Sequence, residues 1–414
     1  MTRVPYNRGM KTGLYVHVPF CETKCGYCDF YSVPLGDRQT TPLVRAIIRE
    51  LEQRESTAGG PFHTIFVGGG TPTLLPKDSL ELLFKRLSEV ARRDGVGEFS
   101  VEANPATVDE AKVRLLVEAG VNRMSFGGQS FHQRELDVLE RLHCPEDIAP
   151  GIQLAREGGI EQINLDLIFG IPGQTQASWR ESLRRAVDLG VDHLACYGLT
   201  YEPGTPLTAQ LHDGKVAACD NDLEADLYLL AIEYLESCGF EQYEISNFAR
   251  PGCRCAHHLI YWSNEPYIGV GPSAASYIDG TRFKNVPHIE TYISDVDNGR
   301  HPWREEERLS GRERAGETAM VQLRLNRGID VAAFERSVGL DPIELYAVQI
   351  REHGAAGLLE HTPEHIRLTK AGRLLADRVI RDFLPAPREA ELSLKVLAKA
   401  GAAGGEDCRT IDPA

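Results

Sequence analysis

The chain has 414 residues, 42% hydrophobic and 25% charged, with a formal net charge of −15. The length exceeds one ordinary hydrophobic core and predicts two domains or three, with the composition of a soluble globular protein. The charge argues against a general nucleic-acid-binding surface, which needs an excess of Lys and Arg, and no run of about 18 apolar residues offers a spanning helix.

From the N-terminus, Met1 to Thr12 is polar and lacks the apolar centre of a secretory signal. Ten cysteines in so long a chain make no dense disulfide scaffold. Together these predict a reducing cytoplasm in which thiols stay available as ligands. Leu14 to Val18 reads as a first strand. The stripe Leu43, Ile47 and Leu51, with Val44 and Ile48 beside it, reads as a helix. Strands follow at His63 to Val67, Phe99 to Glu102, Arg123 to Phe126, Ile163 to Phe169 and His193 to Leu199. Helices fall between them at Ser79 to Arg92, Asp109 to Glu118, after Gln133, and at Ser178 to Leu189. In the last of these Arg180, Arg184 and Arg185 form a local basic patch, read as a solvated helix face.

Six β-then-α units predict parallel strands joined by right-handed crossovers, hence an α/β fold. Polar and glycine-rich segments fall just after the strands, where a (β/α) barrel carries its working loops. Six units rather than eight suggest a partial barrel, with an open doubly wound sheet as the alternative. Further on, Leu223 to Cys238 reads as a helix, Gln242 to Ser246 as a strand, and 251–290 as irregular. Helices at Glu317 to Leu323, Val331 to Val338 and Ala371 to Phe383, with a strand at Ile366 to Thr369, predict a small winged-helix-like domain. The expected division is a barrel core over 1–205, an extension over 206–300, the small domain over 301–386 and a tail over 387–414.

The segment with the plainest chemistry is Cys21-x3-Cys25-x2-Cys28, directly after the first strand. Three thiolates within eight residues can hold three corners of one [4Fe–4S] cluster, which normally takes four. The fourth iron is then open to a ligand that is not protein. S-adenosylmethionine (SAM) suits it, because its methionine amino and carboxylate groups can chelate. Zinc or plain structural thiols are the alternatives. Zinc would need a fourth ligand close by, and no second Cys pair of suitable spacing follows. Gly68-Gly69-Gly70-Thr71-Pro72 follows the second strand and lets a ligand approach the backbone. Glu102, Gln129, Arg141 and Asp166 fall at later strand ends, strand interiors and loops. Each taken singly reads as a structural salt bridge; together they read as a ligand site. Arg141 can grip a carboxylate in a fork, and Asp166, set between leucines, needs a partner.

With these motifs, Leu14-Tyr15-Val16-His17-Val18-Pro19-Phe20-Cys21, Glu102-Ala103-Asn104-Pro105, Gly127-Gly128-Gln129-Ser130-Phe131 and Asp166-Leu167-Ile168-Phe169-Gly170-Ile171-Pro172-Gly173 resemble the coproporphyrinogen dehydrogenase-like branch of the radical-SAM proteins. The likeness runs from about residue 13 to about 385. It implies the partial (β/α)6 barrel, a cluster on Cys21, Cys25 and Cys28, and a SAM site lined by Tyr15, Gly69, Gly70, Thr71, Glu102, Gln129, Arg141 and Asp166. It also implies competence to cleave SAM reductively to a 5′-deoxyadenosyl radical, and hence a reductant for the cluster.

Within that branch the dehydrogenase-type enzymes carry one more cysteine two residues after the triad; Phe30 stands there in this chain. The departure points to the HemW-type haem chaperones, which bind haem and pass it to acceptor proteins. Coproporphyrinogen III dehydrogenation or a radical methylation is the alternative. Cys255-Ala256-His257-His258-Leu259-Ile260-Tyr261-Trp262 is similar to that family's His-Asn-x-x-Tyr-Trp haem motif, with His258 in place of Asn. By resemblance His257 becomes the candidate axial haem ligand, with Tyr261 and Trp262 to pack on the porphyrin. A hydrogen-bonded histidine in an irregular loop is the plain alternative. A homodimer and a peripheral contact with a membrane surface are both compatible with this sequence.

Overall fold

The structure is a computed structural model and describes residues 11–55, 60–309 and 311–385. The expected tail therefore lies outside the described residues. Six strands, β1 (Thr12–Val18), β2 (Phe62–Gly69), β3 (Glu98–Ala103), β4 (Arg123–Gln129), β5 (Gln162–Phe169) and β6 (His193–Gly198), run parallel. They are the six strands expected. Between them lie α1 (Thr41–Glu55), α2 (Lys77–Asp94), α3 (Glu110–Glu118), α4 (Gln133–Val138), α5 (Pro145–Glu157) and α6 (Gln176–Asp188). The helix ends follow local chemistry. The Asp109 carboxylate accepts the Lys112 N–H at 2.8 Å to start α3, and α2 stops at Gly95 in the left-handed conformation. On the outer face of α6, Arg184 is solvated and pairs with Glu181 at 2.7 Å and Arg180 is exposed, whereas Arg185 lies half-buried over the Phe131 ring at 4.6 Å.

Beyond the sixth unit come α7 (Pro206–His212), α8 (Asn221–Ser237), β7 (Asn247–Ala249), α9 (Ala256–Trp262), β8 (Tyr267–Val270), β9 (Ala275–Ile278), β10 (Thr281–Asn285), α10 (Ile289–Asp297) and β11 (Trp303–Arg308). The sheet order is β11-β10-β9-β8-β1-β2-β3-β4-β5-β6-β7, with the short strand Glu241–Gln242 last. β8 pairs parallel with β1, a seventh parallel strand, and β9 to β11 continue antiparallel. The result is a partial barrel whose two ends are extended by antiparallel strands.

Three sequence expectations are corrected here. The strand expected over Gln242 to Ser246 ends at Gln242. The chain turns back there, with the Tyr243 N–H donating to the Asn247 carbonyl at 3.1 Å, and strands lie on either side. The stretch 251–290 is not irregular. Its Gly and Pro punctuate short elements, and α9 is started by Glu98, a residue far away in sequence that no local pattern shows. The final helix is also broken in two at Leu375, giving Lys370–Leu374 and Ala376–Arg381.

Outward residues of the strands, among them Val16, Val67, Val101, Met124 and Leu165, pack with Leu43, Leu83, Leu116 and Leu183 of the helices in one buried core. α1 adds a polar pin. Arg54 and Glu50 form a buried ion pair at 2.8 Å, and Glu50 also accepts from Gly271 N–H and the Tyr292 hydroxyl. Its partners satisfy the pair, the condition under which buried charge is tolerated.

A second core joins α11 (Gly311–Gln322), β12 (Ile329–Asp330), α12 (Val331–Val338), α13 (Ala347–Ala355), β13 (Leu359–His361) and β14 (His365–Leu368), through Leu323, Ile329, Phe334, Ile350 and Ile366. The strand order β12-β14-β13 with the preceding helices is winged-helix-like. This unit sits at the end of α9, where Asn264 donates to Thr318 at 3.0 Å and Gln322 to the Ser263 carbonyl at 3.3 Å.

Candidate functional site

Because seven strands are parallel, their C-terminal ends meet at one mouth and their N-terminal ends at one floor. The cluster loop lies at the mouth. Phe20–Cys21 pairs with Val33–Pro34, closing the segment between them into a loop, and the Cys28 N–H donates to the Cys25 carbonyl at 3.2 Å. Gly26 N–H reaches the Leu139 carbonyl and its own carbonyl takes the Leu207 N–H, so the loop is anchored on both sides. The three thiols are partly exposed, and burial pushes the thiols of Cys21 and Cys28 above their ordinary pKa. The charge of Cys25 adds to the rise at both Cys21 and Cys28, and that of Cys21 to the rise at Cys28. Thr71 Oγ1 points at Cys21 Sγ from 3.9 Å, and Arg141 Nη1 at Cys25 Sγ from 3.4 Å. Such donors favour the thiolates that iron requires. Three thiols on one anchored loop suit three corners of a cuboidal cluster.

Of the eight residues expected at the SAM site, Gly69, Gly70, Thr71, Glu102, Gln129 and Arg141 lie at or just beyond the C-terminal strand ends, while Tyr15 and Asp166 lie deeper, in the middle of β1 and β5. At the end of β2, the Gly69 N–H donates to Glu102 Oε2 at 3.0 Å, and the Gly70 N–H to the Val18 carbonyl at 2.9 Å. A Cβ on Gly68 would stand 2.7 Å from the Glu102 carboxyl, so only glycine leaves room for that side chain. Gln129 holds φ at +62°, a strained conformation for a non-glycine residue. Its amide and the Arg141 guanidinium converge over Gly127, whose carbonyl accepts from Arg141 Nη2 at 2.6 Å. Arg141 Nε is buried with no hydrogen-bond partner in the protein, a donor left for something else.

Asp166 finds the partner it needed in Asn164, whose amide donates at 2.7 Å. Burial raises Asp166 to about 6, against the lowering effect of Asn164, Arg123 and Arg141. Burial first, and the Asp166 charge second, raise Glu102 to about 7. Both carboxyls thus sit where a hydrogen-bonding or cationic ligand can decide their protonation. Donors held on one side, acceptors on another and a glycine cradle between fit a zwitterionic, ribose-bearing ligand such as SAM beside the thiols.

The floor is different. His257, in α9, is fully buried beneath β1 and β2. Its Nδ1 shares a hydrogen bond with Thr64 Oγ1 at 2.7 Å and its Nε2 with the Tyr261 hydroxyl at 2.8 Å, while its ring stacks on Phe66 at 5.2 Å. Both nitrogens that could meet iron are therefore engaged. Burial holds His257 well below the usual histidine value and His258 down to about 3, so both are neutral. Glu98 fixes the helix, accepting the Ala256 N–H at 2.6 Å, the His257 N–H at 3.1 Å and the Cys255 thiol at 3.4 Å. Cys255 is thereby a buried hydrogen-bond donor. Sequence reasoning missed Glu98, Thr64 and His17. The signal available for Glu98 was its spacing of four from Glu102 on one strand, which puts both on the same face.

The Radical SAM superfamily model matches residues 15–186, and the HemN C-terminal domain model matches 309–375. The heme chaperone HemW of Bacillus subtilis is 35% identical over 372 residues, covering 89% of this chain and 98% of that one. The heme chaperone HemW of Escherichia coli is 31% identical over 378 residues, covering 90% and 97%. Among solved structures, the coproporphyrinogen III oxidase HemN of Escherichia coli, a radical SAM enzyme, superposes with a TM-score of 0.76 at 24% identity. The match covers 92% of this chain and 91% of that one, a likeness of fold. With a relative above 30% identity along almost its whole length, the chain belongs to the radical SAM superfamily, in the family of the heme chaperone HemW.

Proposed function

We propose that this chain is a haem chaperone that carries one [4Fe–4S] cluster and SAM at the mouth of its barrel and delivers haem to acceptor proteins in the cytoplasm. Likeness to the HemW relatives over nearly their full length is the observation that carries the reading. Cys21, Cys25 and Cys28 hold the cluster. Tyr15, Gly69, Gly70, Thr71, Glu102, Gln129, Arg141 and Asp166 hold SAM, with Arg141 on a carboxylate and Glu102 and Asp166 on hydroxyl or amino donors. Reductive SAM cleavage is the chemistry the loaded centre supplies, given an external reductant. The protein orients the ligand and keeps water off it.

Haem enters this reading through the α9 segment. His257 can ligate iron only after giving up Thr64 or Tyr261, so haem binding there requires α9 to loosen from the floor. Phe30 supports the chaperone over the dehydrogenase. It occupies the fourth-cysteine position and is 74% exposed beside the cluster loop. Anaerobically reconstituted protein, loaded with haem and mixed with an acceptor apoprotein, should pass the haem on. Conversion of coproporphyrinogen III to protoporphyrinogen at ordinary enzymatic rates in the parallel assay would replace this reading with the dehydrogenase.

A further inference from the structure

His17 stands two residues after Tyr15 on β1, on the same face, and is 5% exposed. Its Nε2 lies 2.9 Å from the Tyr31 carbonyl and its Nδ1 lies 2.9 Å from the Tyr15 hydroxyl. A carbonyl can only accept, so the proton sits on Nε2. In a neutral imidazole the other nitrogen must then accept, so Tyr15 is the donor of the second bond. Burial brings His17 down to about 4, which keeps the ring neutral, and keeps Tyr15 protonated. The hydroxyl proton of Tyr15 is thus committed to His17, and the lone pairs of its oxygen remain for another partner.

Two further contacts tie this pair to the site. Gly69 has φ of +105°, and a Cβ there would come within 2.5 Å of the His17 ring, so the glycine loop lies directly against the imidazole. Tyr31 follows Cys28 by three residues, so the carbonyl that fixes the tautomer belongs to the strand-closing end of the cluster loop.

We propose that His17 is a positioning residue: it turns Tyr15 into a hydrogen-bond acceptor toward the amino group or ribose hydroxyls of SAM, and it makes that role depend on the cluster loop being closed. This rests on the SAM reading above and adds the residue that orients its Tyr15. In this reading His17 itself meets neither SAM nor iron. It contacts Tyr15, the Tyr31 carbonyl and the Gly69 loop, and the hydrogen-bond relay to Tyr15 is what distinguishes it from a residue that only fills space.

The test uses the full-length chain, reconstituted anaerobically, as wild type, His17→Ala, Tyr15→Phe, the double variant and His17→Gln. Iron content and the SAM-dependent change in the spin-resonance signal of the reduced cluster are measured on each. Iron per chain should stay at the wild-type level. Each single variant should need about tenfold more SAM and the double no more than either, because the two losses are one interaction. Glutamine, which keeps a donor for Tyr31 and an acceptor for Tyr15, should return affinity to within about twofold. Losses that multiply in the double variant, or iron lost with His17→Ala, overturn the proposal. Should His17→Ala not fold, His17→Gln decides: wild-type affinity supports the relay, and a loss equal to that of Tyr15→Phe overturns it. A wild type whose signal ignores SAM removes the SAM reading itself, and the proposal with it.

Discussion

The same strands carry two ends of opposite character. At the mouth, side chains are partly exposed, a guanidinium nitrogen of Arg141 has no protein partner, two carboxyls are raised toward neutrality and Gln129 is strained. At the floor, His257, Thr64, Tyr261 and Glu98 are linked through named hydrogen bonds. Exposure, strain and raised carboxyls mark the mouth as an end built for a ligand, and the hydrogen-bonded floor holds the barrel, although the buried Arg123 there has no partner for Nε and Nη1 and is met by the charges of Cys255 and Glu98. In sequence His257 stands out as the candidate haem ligand, with His258 in place of the family Asn. The hydrogen bonds of the His257 ring assign it first to the structure, while the His258 ring packs 5.4 Å from that of Phe66.

The largest effect expected is at the mouth. Replacing Cys21, Cys25 and Cys28 by serine should abolish iron and sulfide binding after anaerobic reconstitution while the thermal melt of the apoprotein stays close to wild type. A melt that collapses would give the loop a structural role and blur the contrast. At the floor the reverse holds. Glu98→Ala leaves two buried backbone N–H groups without an acceptor and should cost roughly 3 kcal/mol in urea unfolding, with cluster content unchanged. His257→Ala removes a stacked, doubly bonded ring and should cost about 2–4 kcal/mol by the same measurement. A haem spectrum and stoichiometry unchanged in that variant would take His257 out of the haem site.

Smaller and more diagnostic is the pH dependence of the mouth. Glu102 and Asp166 have raised folded-state values, so their protonated forms suit the empty site. The stability they confer is present below their unfolded values and is lost as pH rises through about 6 and about 7. Glu102→Gln should therefore melt higher than wild type at pH 8, by an amount on the order of 1–3 kcal/mol, and alike at pH 4. SAM, being cationic at sulfur, favours the ionised carboxyls and should release protons on binding between pH 6 and 7, seen as a buffer-dependent calorimetric enthalpy that shrinks in Glu102→Gln. The smallest effect belongs to Phe30. Exposed as it is, Phe30→Ser should change stability by no more than about 0.5 kcal/mol, so any larger change in haem transfer would mark it as a contact residue.

The six parallel strands were legible because each is a run of outward-facing apolar residues bounded by turns, and the thiol spacing was legible because it is local. What the sequence hid is reciprocal and long-range. Glu98 caps a helix that starts 158 residues later, and Glu50 binds the backbone of Gly271. No window along the chain contains both partners of such a bond. The α9 segment was hidden for a second reason: its flanking Gly and Pro look like loop, and its seven residues are too few to show a period. His17 was quoted within a motif yet left without a task, since only the carbonyl of Tyr31 fixes which of its nitrogens gives and which receives.

The docking of the winged-helix-like unit carries one more implication. Asn264 and Ser263, at the trailing end of the histidine-bearing helix, are gripped by Thr318 and Gln322 of that unit. Whatever pulls the small unit away therefore tugs on the base plate of the barrel, and a chain severed before residue 309 would leave that plate fastened on one side only.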